Sequence, residues 1–112
     1  MIIQLPWPPS VNNYWKKWNN RMVISKEGRL YRQAVLLSVI TQDAAKRFTA
    51  PLKVVIGVAR PDRRRRDLDN LLKSTLDSLT HAGVWEDDSQ IIDLRIYWQG
   101  VGGFLTVEIT NG

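Results

Sequence analysis

Residues 52–83, which read LKVVIGVARPDRRRRDLDNLLKSTLDSLTHAG, decide the fold because their periodicity changes partway along the stretch. Apolar residues alternate from Leu52 to Val58, which is the pattern of a β-strand, and Arg60-Pro61 ends that strand. Helical spacing follows, with an apolar stripe made of Leu68, Leu71, Leu72, Leu76 and Leu79. Gly83 stands where a left-handed C-cap residue belongs, so we expect a strand followed by an amphipathic helix.

Two more strands are expected towards the C-terminus, where apolar residues alternate again. The third strand carries Ile92, Leu94, Ile96 and Trp98, and the fourth carries Leu105, Val107 and Ile109. Between them lies GVGG, residues 100–103, which predicts a hairpin turn.

The N-terminal half predicts one strand, one loop and one long helix. A short strand over Ile2 to Leu5 ends because the following prolines cannot donate to a ladder. Residues 10–21 read as a polar, aromatic loop, and Met22 to Ile24 as a brief strand or turn. Ser25 is the expected N-cap of a helix that Pro51 ends. Its apolar stripe is Leu30, Ala34, Leu37, Thr41, Ala44 and Phe48.

Additional apolar residues widen that stripe, so we expect this helix to be buried on more than one side: they are Val35, Leu36, Val39 and Ile40. The element order is then βαβαββ. It predicts an α+β fold, a small domain spanning residues 1–112 with two helices packed on a single mixed sheet.

Composition narrows the class of protein. The 112 residues carry a net charge of +5, with 44% hydrophobic and 24% charged residues, which is typical of a globular domain with affinity for polyanions. Cysteine is absent and His81 is the one histidine, which excludes thiolate zinc sites, cysteine nucleophiles and multi-histidine metal sites. We expect no membrane span and no signal peptide, and therefore a cytoplasmic protein.

Asp67 and Asp69 directly follow the basic run Arg63–Arg66, an arrangement that both attracts and repels phosphate. Arginines and carboxylates can both face one phosphate where a hard divalent cation lies between the carboxylates and the phosphate. Asp69 and Lys73 share one helix edge, and Asp67 can reach the same ion only if it lies at or before the N-cap. The alternative is structural: Asp67 caps the helix, and Asp69 complements its dipole and pairs with Lys73.

A second acidic cluster, Glu86-Asp87-Asp88, precedes the third strand and is either a solvated turn or part of the same site. A helix over 68–82 carries the chain about 20 Å away from Asp69, at 1.5 Å per residue. The residues from Gly83 to Asp88 span that distance only when fully extended. We therefore hypothesise that Asp88 completes a metal site on the other subunit of a two-fold dimer, with Asp87 as an alternative ligand.

Basic and aromatic residues indicate where DNA would bind. Arg63, Arg64, Arg65 and Arg66 are the leading phosphate contacts, followed by Lys16, Lys17 and Arg21. Trp15 and Asn13 lie among the lysines, as do Tyr14 and Trp18, and aromatic side chains there suit stacking on unpaired bases. Packing against the core or a dimer interface explains the tryptophans equally well.

Four segments together resemble the RusA-type Holliday-junction resolvases: LPWPPSVNNYW, SKEGRLYR, PDRRRRDLDNLLK and HAGVWEDDSQIID. The resemblance implies a RusA-like fold and a homodimeric endodeoxyribonuclease of bacteria and their prophages. It implies Mg²⁺-dependent cleavage of four-way DNA junctions in recombination and repair, with Mn²⁺ as a substitute. It also implies that Asp67, Asp69 and Asp88 hold the metal and that Lys73 is catalytic.

Two other functions fit the same residues. A non-catalytic DNA-binding module would use the acids only for capping and solubility. An RNA-directed metal nuclease would have the same site and another substrate.

Overall fold

A four-stranded mixed sheet forms the centre of the structure. The structure is a computed structural model and describes residues 1–112. The strands are β1 (Ile2–Pro6), β2 (Trp15–Trp18), β3 (Arg21–Ile24), β4 (Leu52–Arg60), β5 (Ile91–Val101) and β6 (Phe104–Asn111). The helices are α1 (Val11–Tyr14), α2 (Lys26–Thr41) and α3 (Asp69–His81), with a 3₁₀ turn at Asp88–Gln90. The α+β fold with a mixed central sheet is confirmed, but a second sheet, made of β2 and β3, was not expected.

The strand order in the central sheet is β1-β6-β4-β5, with β4 and β5 parallel and the other neighbours antiparallel. Parallel strands need a crossover connection, and α3 supplies it. Leu52 pairs with Ile91 at the start of both strands, and Arg60 pairs with Val101 at their ends. The segment that enters α3 therefore lies at one end of the sheet, and the segment that leaves it for β5 lies at the other.

The core lies between one face of the sheet and helices α2 and α3. The sheet contributes alternate residues of β1, β4 and β6, all almost fully buried: Ile3, Leu5, Leu52, Val54, Ile56, Val58, Leu105, Val107 and Ile109. The helices contribute Tyr31, Val35, Val39, Leu71 and Leu79. Each such side chain stabilises the fold by about 1.5–3 kcal/mol relative to exposure. None of the helices has the length and apolar composition that crossing a membrane requires.

The predicted hairpin between the last two strands is wrong, because β5 and β6 both pair with β4 and not with each other. Residues 100–103 instead cross the end of β4, where Gly102 donates to the Arg60 carbonyl and Gly103 to that of Ala59. Both glycines have positive φ, which the crossing requires. The most apolar strand thereby has a neighbour on each side.

Helix α2 ends earlier than its apolar pattern predicts and turns a different face to the core. Asp43, at φ 53°, adopts the left-handed conformation just after the helix, and the buried Ala44 donates to the Val39 carbonyl to close the end. The expected stripe is largely wrong, since Leu30 is 54% exposed and Leu37 is 67% exposed. The buried residues, Gly28, Tyr31, Val35 and Val39, lie on one face, so the expected burial on more than one side is wrong as well.

The predicted loop over residues 10–21 is wrong as well: it contains the single turn of α1 and the first strand of a hairpin. Strands β2 and β3 pair antiparallel from Trp15–Ile24 to Trp18–Arg21. Asn19 and Asn20 connect them, both with positive φ, which is the type I′ geometry that asparagine tolerates. The expected brief strand at Met22 to Ile24 is confirmed as β3.

A buried tyrosine holds this hairpin to the helices. The Tyr14 hydroxyl donates to Asp77 of α3 and accepts a 2.8 Å hydrogen bond from Arg32 of α2. Arg32 also forms a 2.7 Å ion pair with Asp77. Burial and the hydrogen bond to Asp77 raise the pKa of Tyr14. Because Tyr14 is fully buried at the base of the hairpin, this network fixes the direction in which the hairpin leaves the domain.

We expect Tyr14→Phe to lower the free energy of unfolding by about 1–3 kcal/mol, because Asp77 and Arg32 lose a buried hydrogen-bond partner. Urea denaturation measures the change. Tyr97→Phe is the matched control: its hydroxyl bonds Gln99 on the exposed side of the sheet, so its loss should change stability by less than about 0.5 kcal/mol. Equal effects of the two substitutions would contradict the structural role of Tyr14.

Candidate active site

A cavity of about 550 Å³ lies where the first turns of α2 and α3 meet the proline-rich segment after β1. Its lining includes Asn13, Glu27, Arg65, Asp67 and Asn70. Helix N-termini carry unpaired N–H groups and a partial positive charge, so this corner of the domain favours anionic groups. Glu27, in the first turn of α2, is an acidic lining residue that the sequence patterns did not single out.

Asp67 lies before the first turn of α3, and Asp69 is its first residue. The Asp67 carbonyl accepts a hydrogen bond from Asn70, but no side chain caps the helix. Both aspartates are exposed and neither carboxylate is engaged in an ion pair. Asp67 therefore stands outside the regular turns, as a shared ion with Asp69 requires, and its expected alternative role as a side-chain cap is wrong.

Lys73 is exposed one turn further along α3. It forms no ion pair with Asp69, so the alternative in which these two residues neutralise each other is also wrong. Its ammonium group and the two carboxylates are all available to an external ligand. The donor set offered by Asp67 and Asp69 consists only of carboxylate oxygens, which fits Mg²⁺ or Mn²⁺.

Asp62, which sequence reasoning missed, organises the arginine run. Its carboxylate accepts a bidentate pair from Arg66, at 2.7 and 3.0 Å, and a hydrogen bond from the Arg64 backbone N–H. The Arg66 pair, followed by the Arg64 bond, lowers the pKa of Asp62 to about 2. Asp62 therefore remains ionised, and its ion pair with Arg66 is retained, throughout the neutral pH range.

The four arginines do not have equal access to DNA. Arg66 is held by Asp62, and its guanidinium lies 5.4 Å from the ring centre of Trp7, which leaves the side chain 21% exposed. Arg64 is 82% exposed, with its guanidinium 3.9 Å from Asp62. Arg63 and Arg65 are exposed and form no ion pair. No sequence pattern indicated this arrangement, because residues 62–66 are not helical and the i,i+4 pairing rule of helices does not apply to them.

Asp88 begins the 3₁₀ turn before β5 and is exposed. Its neighbour Asp87 caps that turn by accepting from the Ser89 N–H. Hydrogen bonding from the Ser89 side chain, followed by that from its backbone, lowers the pKa of Asp87. Gln90 accepts from the backbone of Glu86 and Asp87 and donates to the carbonyls of Phe48 and Ala50. Asp87 is thus committed to the turn, whereas Asp88 presents a carboxylate from a firmly held position.

Asp88 and the Asp67–Asp69 pair lie at opposite ends of the β4–α3–β5 unit. Asp67 and Asp69 follow the end of β4, while Asp88 precedes the start of its parallel neighbour β5. The nine residues of β4 span about 30 Å at 3.3 Å per residue. Accordingly, no three acidic or histidine side chains of the chain come together in a group that could hold a metal ion.

The two tryptophans of the β2–β3 hairpin differ in exposure. Trp15 is half-buried against the core, with its ring 5.1 Å from that of Tyr14 and its indole N–H enclosed without a partner. Trp18 is 60% exposed near the hairpin tip. This geometry favours the packing alternative for Trp15, and its contact with DNA stays a prediction. Lys16, Lys17, Arg21 and Asn13 are exposed, as expected for DNA contacts.

A small basic α+β domain that exposes two unpaired carboxylates beside a run of arginines has the features of a metal-assisted nuclease. The comparison with protein families agrees: the model described as "Endodeoxyribonuclease RusA" matches residues 6–110. The chain belongs to the RusA endodeoxyribonuclease family, which confirms the resemblance found in the sequence.

Named relatives cover nearly the whole chain. The "Crossover junction endodeoxyribonuclease rusA" of Enterobacteria phage 82 is 44% identical over 111 residues, which are 97% of this chain and 92% of the relative. The protein of the same name from Escherichia coli K12 has the same identity and coverage. That of Enterobacteria phage HK97 is 44% identical over 112 residues, covering 96% of this chain and 91% of the relative.

Proposed function

We propose that this chain is a crossover junction endodeoxyribonuclease that cuts four-way DNA by hydrolysing phosphodiester bonds. The observation that carries the proposal is the pair of exposed, unpaired carboxylates, Asp67 and Asp69, directly after the arginine run. Mg²⁺, with Mn²⁺ as a substitute, would be held by Asp67, Asp69 and Asp88 and would supply Lewis acidity towards the scissile phosphate. DNA as the substrate favours the cytoplasm as the place of action.

The surrounding residues have three roles: they bind the phosphates, position the loop that carries Asp67, and stabilise negative charge on the phosphate oxygens. Arg63 and Arg65 hold the phosphates on either side of the scissile bond, because their guanidinium groups are unpaired and exposed. Arg66, fixed by Asp62 and Trp7, sets the course of the loop and thereby the position of Asp67. Lys73 places its ammonium group beside the developing negative charge on the phosphate oxygens. Asn70 lies in the cavity wall, and its backbone N–H holds the Asp67 carbonyl at the start of α3.

We infer that two copies of the chain form the complete site, with Asp88 acting across the interface. Strand β5 has a free outer edge because β4 is its one neighbour. It also exposes apolar side chains, with Ile92 at 63%, Leu94 at 39% and Val101 at 74% exposure. An exposed apolar edge strand is a template for pairing with another strand.

A two-fold axis across β5 would pair the strand with its own copy in antiparallel orientation. The start of one β5 would then meet the end of the other. Asp88, before the start of β5, would lie near the partner's segment after β4, which carries Asp67 and Asp69. Two equivalent sites would result, which suits two symmetric nicks in a four-way junction.

Nicking of a synthetic four-way junction tests the proposed function. The expected result is cleavage in Mg²⁺ that EDTA abolishes, with linear duplex of the same sequence cut at least about tenfold more slowly. Structured RNA serves as competitor. Junction binding without metal-dependent nicking would indicate a non-catalytic binding module, and preferential cleavage of the RNA would indicate another substrate; either result would overturn the proposal.

A further inference from the structure

The β2–β3 hairpin projects from the domain and pairs with no other strand. Trp18 and Met22 lie on opposite faces of the hairpin, as their positions in the ladder require, yet they are 60% and 64% exposed. Nearer the base, one face is covered, since Trp15 and Ile24 pack against the core. Both faces are therefore free only at the tip, which stands clear of the body of the protein.

The base of this arm is fixed. Tyr14 immediately precedes Trp15 and is bound by Asp77 and Arg32. At the other end of the hairpin, the Ser25 hydroxyl donates to the backbone carbonyls of Asn13 and Tyr14 and accepts from the Gly28 N–H. An isolated two-stranded hairpin is marginally stable, so these anchors are needed to hold the tip in one direction.

The arm leaves the domain beside the candidate active site. Asn13, two residues before β2, lines the cavity that also contains Asp67. Three residue steps along the strand, about 10 Å, separate Trp15 from Trp18. A DNA strand bound at Asp67 thus has the exposed indole within the reach of a few nucleotides.

The charge of the hairpin identifies its partner. Lys16, Lys17 and Arg21 are exposed, and residues 15–24 contain no acidic side chain. Lys16 and Arg21 share the face of the exposed Trp18 indole, and Lys17 lies on the opposite face. Cations beside an exposed indole fit a polyanion that also offers π faces, which is nucleic acid with unstacked bases. A continuous duplex keeps its bases stacked, whereas a branch point exposes them.

We propose that the hairpin is a base-stacking arm that recognises the branch point, with Trp18 on an unpaired base and the three cations on the flanking phosphates. Met22, on the other face of the tip, acts as the apolar wedge that keeps the strands apart. This inference rests on the proposed function, because it assigns the selectivity for branched DNA to a structure outside the carboxylate site.

The test compares Trp18→Ala, Trp18→Leu and Trp18→Phe by binding to a four-way junction and to linear duplex, in EDTA at one salt concentration. We expect the Ala and Leu variants to lose about 5- to 150-fold in junction affinity, the range for one base–aromatic stack, with duplex affinity unchanged. Trp18→Phe should retain most of the affinity. Leu37→Ala, an equally exposed apolar position on α2, is the control and should change neither affinity.

A fluorescent 2-aminopurine at the branch point gives a second readout. The wild-type protein and Trp18→Phe should quench it, and Trp18→Ala should not. Equal weakening of junction and duplex binding, or retention of junction affinity and quenching by Trp18→Leu, would overturn the stacking role. Junction nicking by the wild type is measured separately, so that the two proposals can fail independently. If the wild type nicks the junction and Trp18→Ala binds it with unchanged affinity, the stacking arm alone is refuted. If junction binding depends on Trp18 but the wild type does not nick, the catalytic function alone is refuted.

Discussion

Replacing Asp69 by asparagine should reduce junction nicking by at least about a thousandfold while leaving junction binding intact. The amide keeps the shape of the side chain and removes the charge that a hard cation needs. The loss of several kcal/mol of transition-state stabilisation corresponds to that factor, at about 1.4 kcal/mol per tenfold. Binding should be equal or a few times tighter, because one negative charge next to the arginine run is removed from each subunit.

Glu108→Gln supplies the matched control for this prediction. Glu108 is exposed on β6, and the same change of charge there should alter neither nicking nor binding by more than about twofold. Gel-shift titration in EDTA and single-turnover nicking in Mg²⁺ measure the two quantities separately. If Asp69→Asn weakened binding as much as nicking, the carboxylate would serve DNA recognition or folding and not metal-dependent cleavage.

Mixing two inactive variants should restore nicking if Asp88 acts across a dimer. In a heterodimer of Asp69→Asn with Asp88→Asn, one site receives Asp67 and Asp69 from one subunit and Asp88 from the other, so it is complete. The second site contains both substitutions. With random exchange of subunits, half of the dimers are mixed and about one quarter of all sites are intact. Activity should therefore rise from near zero to about a quarter of the wild-type rate, as single-strand nicks.

Two controls make the result decisive. A mixture of Asp67→Asn with Asp69→Asn leaves no intact site under the proposed arrangement and should stay inactive. Adding Leu94→Glu to both members of the rescuing pair should abolish the rescue, because it places a charge on the apolar edge of β5, whereas Leu37→Glu on α2 should not. If the mixture of Asp69→Asn with Asp88→Asn regained no activity although both variants were folded, catalysis in trans would be refuted.

The local parts of the fold were predictable because short-range patterns determine them. Helix α3 has its leucines on one side and a glycine at φ 82° just past its end, and both features can be recognised in the sequence. Helix α2 has apolar residues on all sides, so its buried face depends on where the sheet lies. Asp43 ends it in a left-handed conformation that aspartate adopts less often than glycine, and for this reason the pattern overran the helix.

Strand order was beyond the sequence patterns because it depends on long-range competition. Residues 91–111 contain two strands joined by glycines, which favours a hairpin, yet both strands pair with β4. Strand β4 is buried along most of its length and needs a neighbour on each edge. The same order leaves β5 at the edge of the sheet, where Ile92 and Leu94 are exposed.

In the candidate site, too, the features set by neighbouring residues were predictable and those set by long-range contacts were not. Asp67, Asp69 and Lys73 are close in sequence, so helix geometry was enough to predict that they share one site. In the structure all three are exposed, and Asp67 is the one that lines the cavity. The engagement of Arg66 by both Asp62 and Trp7 joins segments far apart in the chain. The different exposures of Trp15 and Trp18 depend on the direction in which the hairpin leaves the domain, which Tyr14 and its partners on two helices determine.

The parallel β4–α3–β5 unit, by placing its acidic groups at opposite ends, also limits unwanted cleavage of chromosomal DNA under the proposed dimer. Under the proposed dimer, a lone subunit on chromosomal DNA can bind but cannot cut, since each half carries an incomplete set of ligands. Cleavage then rises with the square of protein concentration when subunits are scarce. A cell making traces of such a nuclease would be spared random nicks, and incision would begin only once enough copies had accumulated to act in pairs.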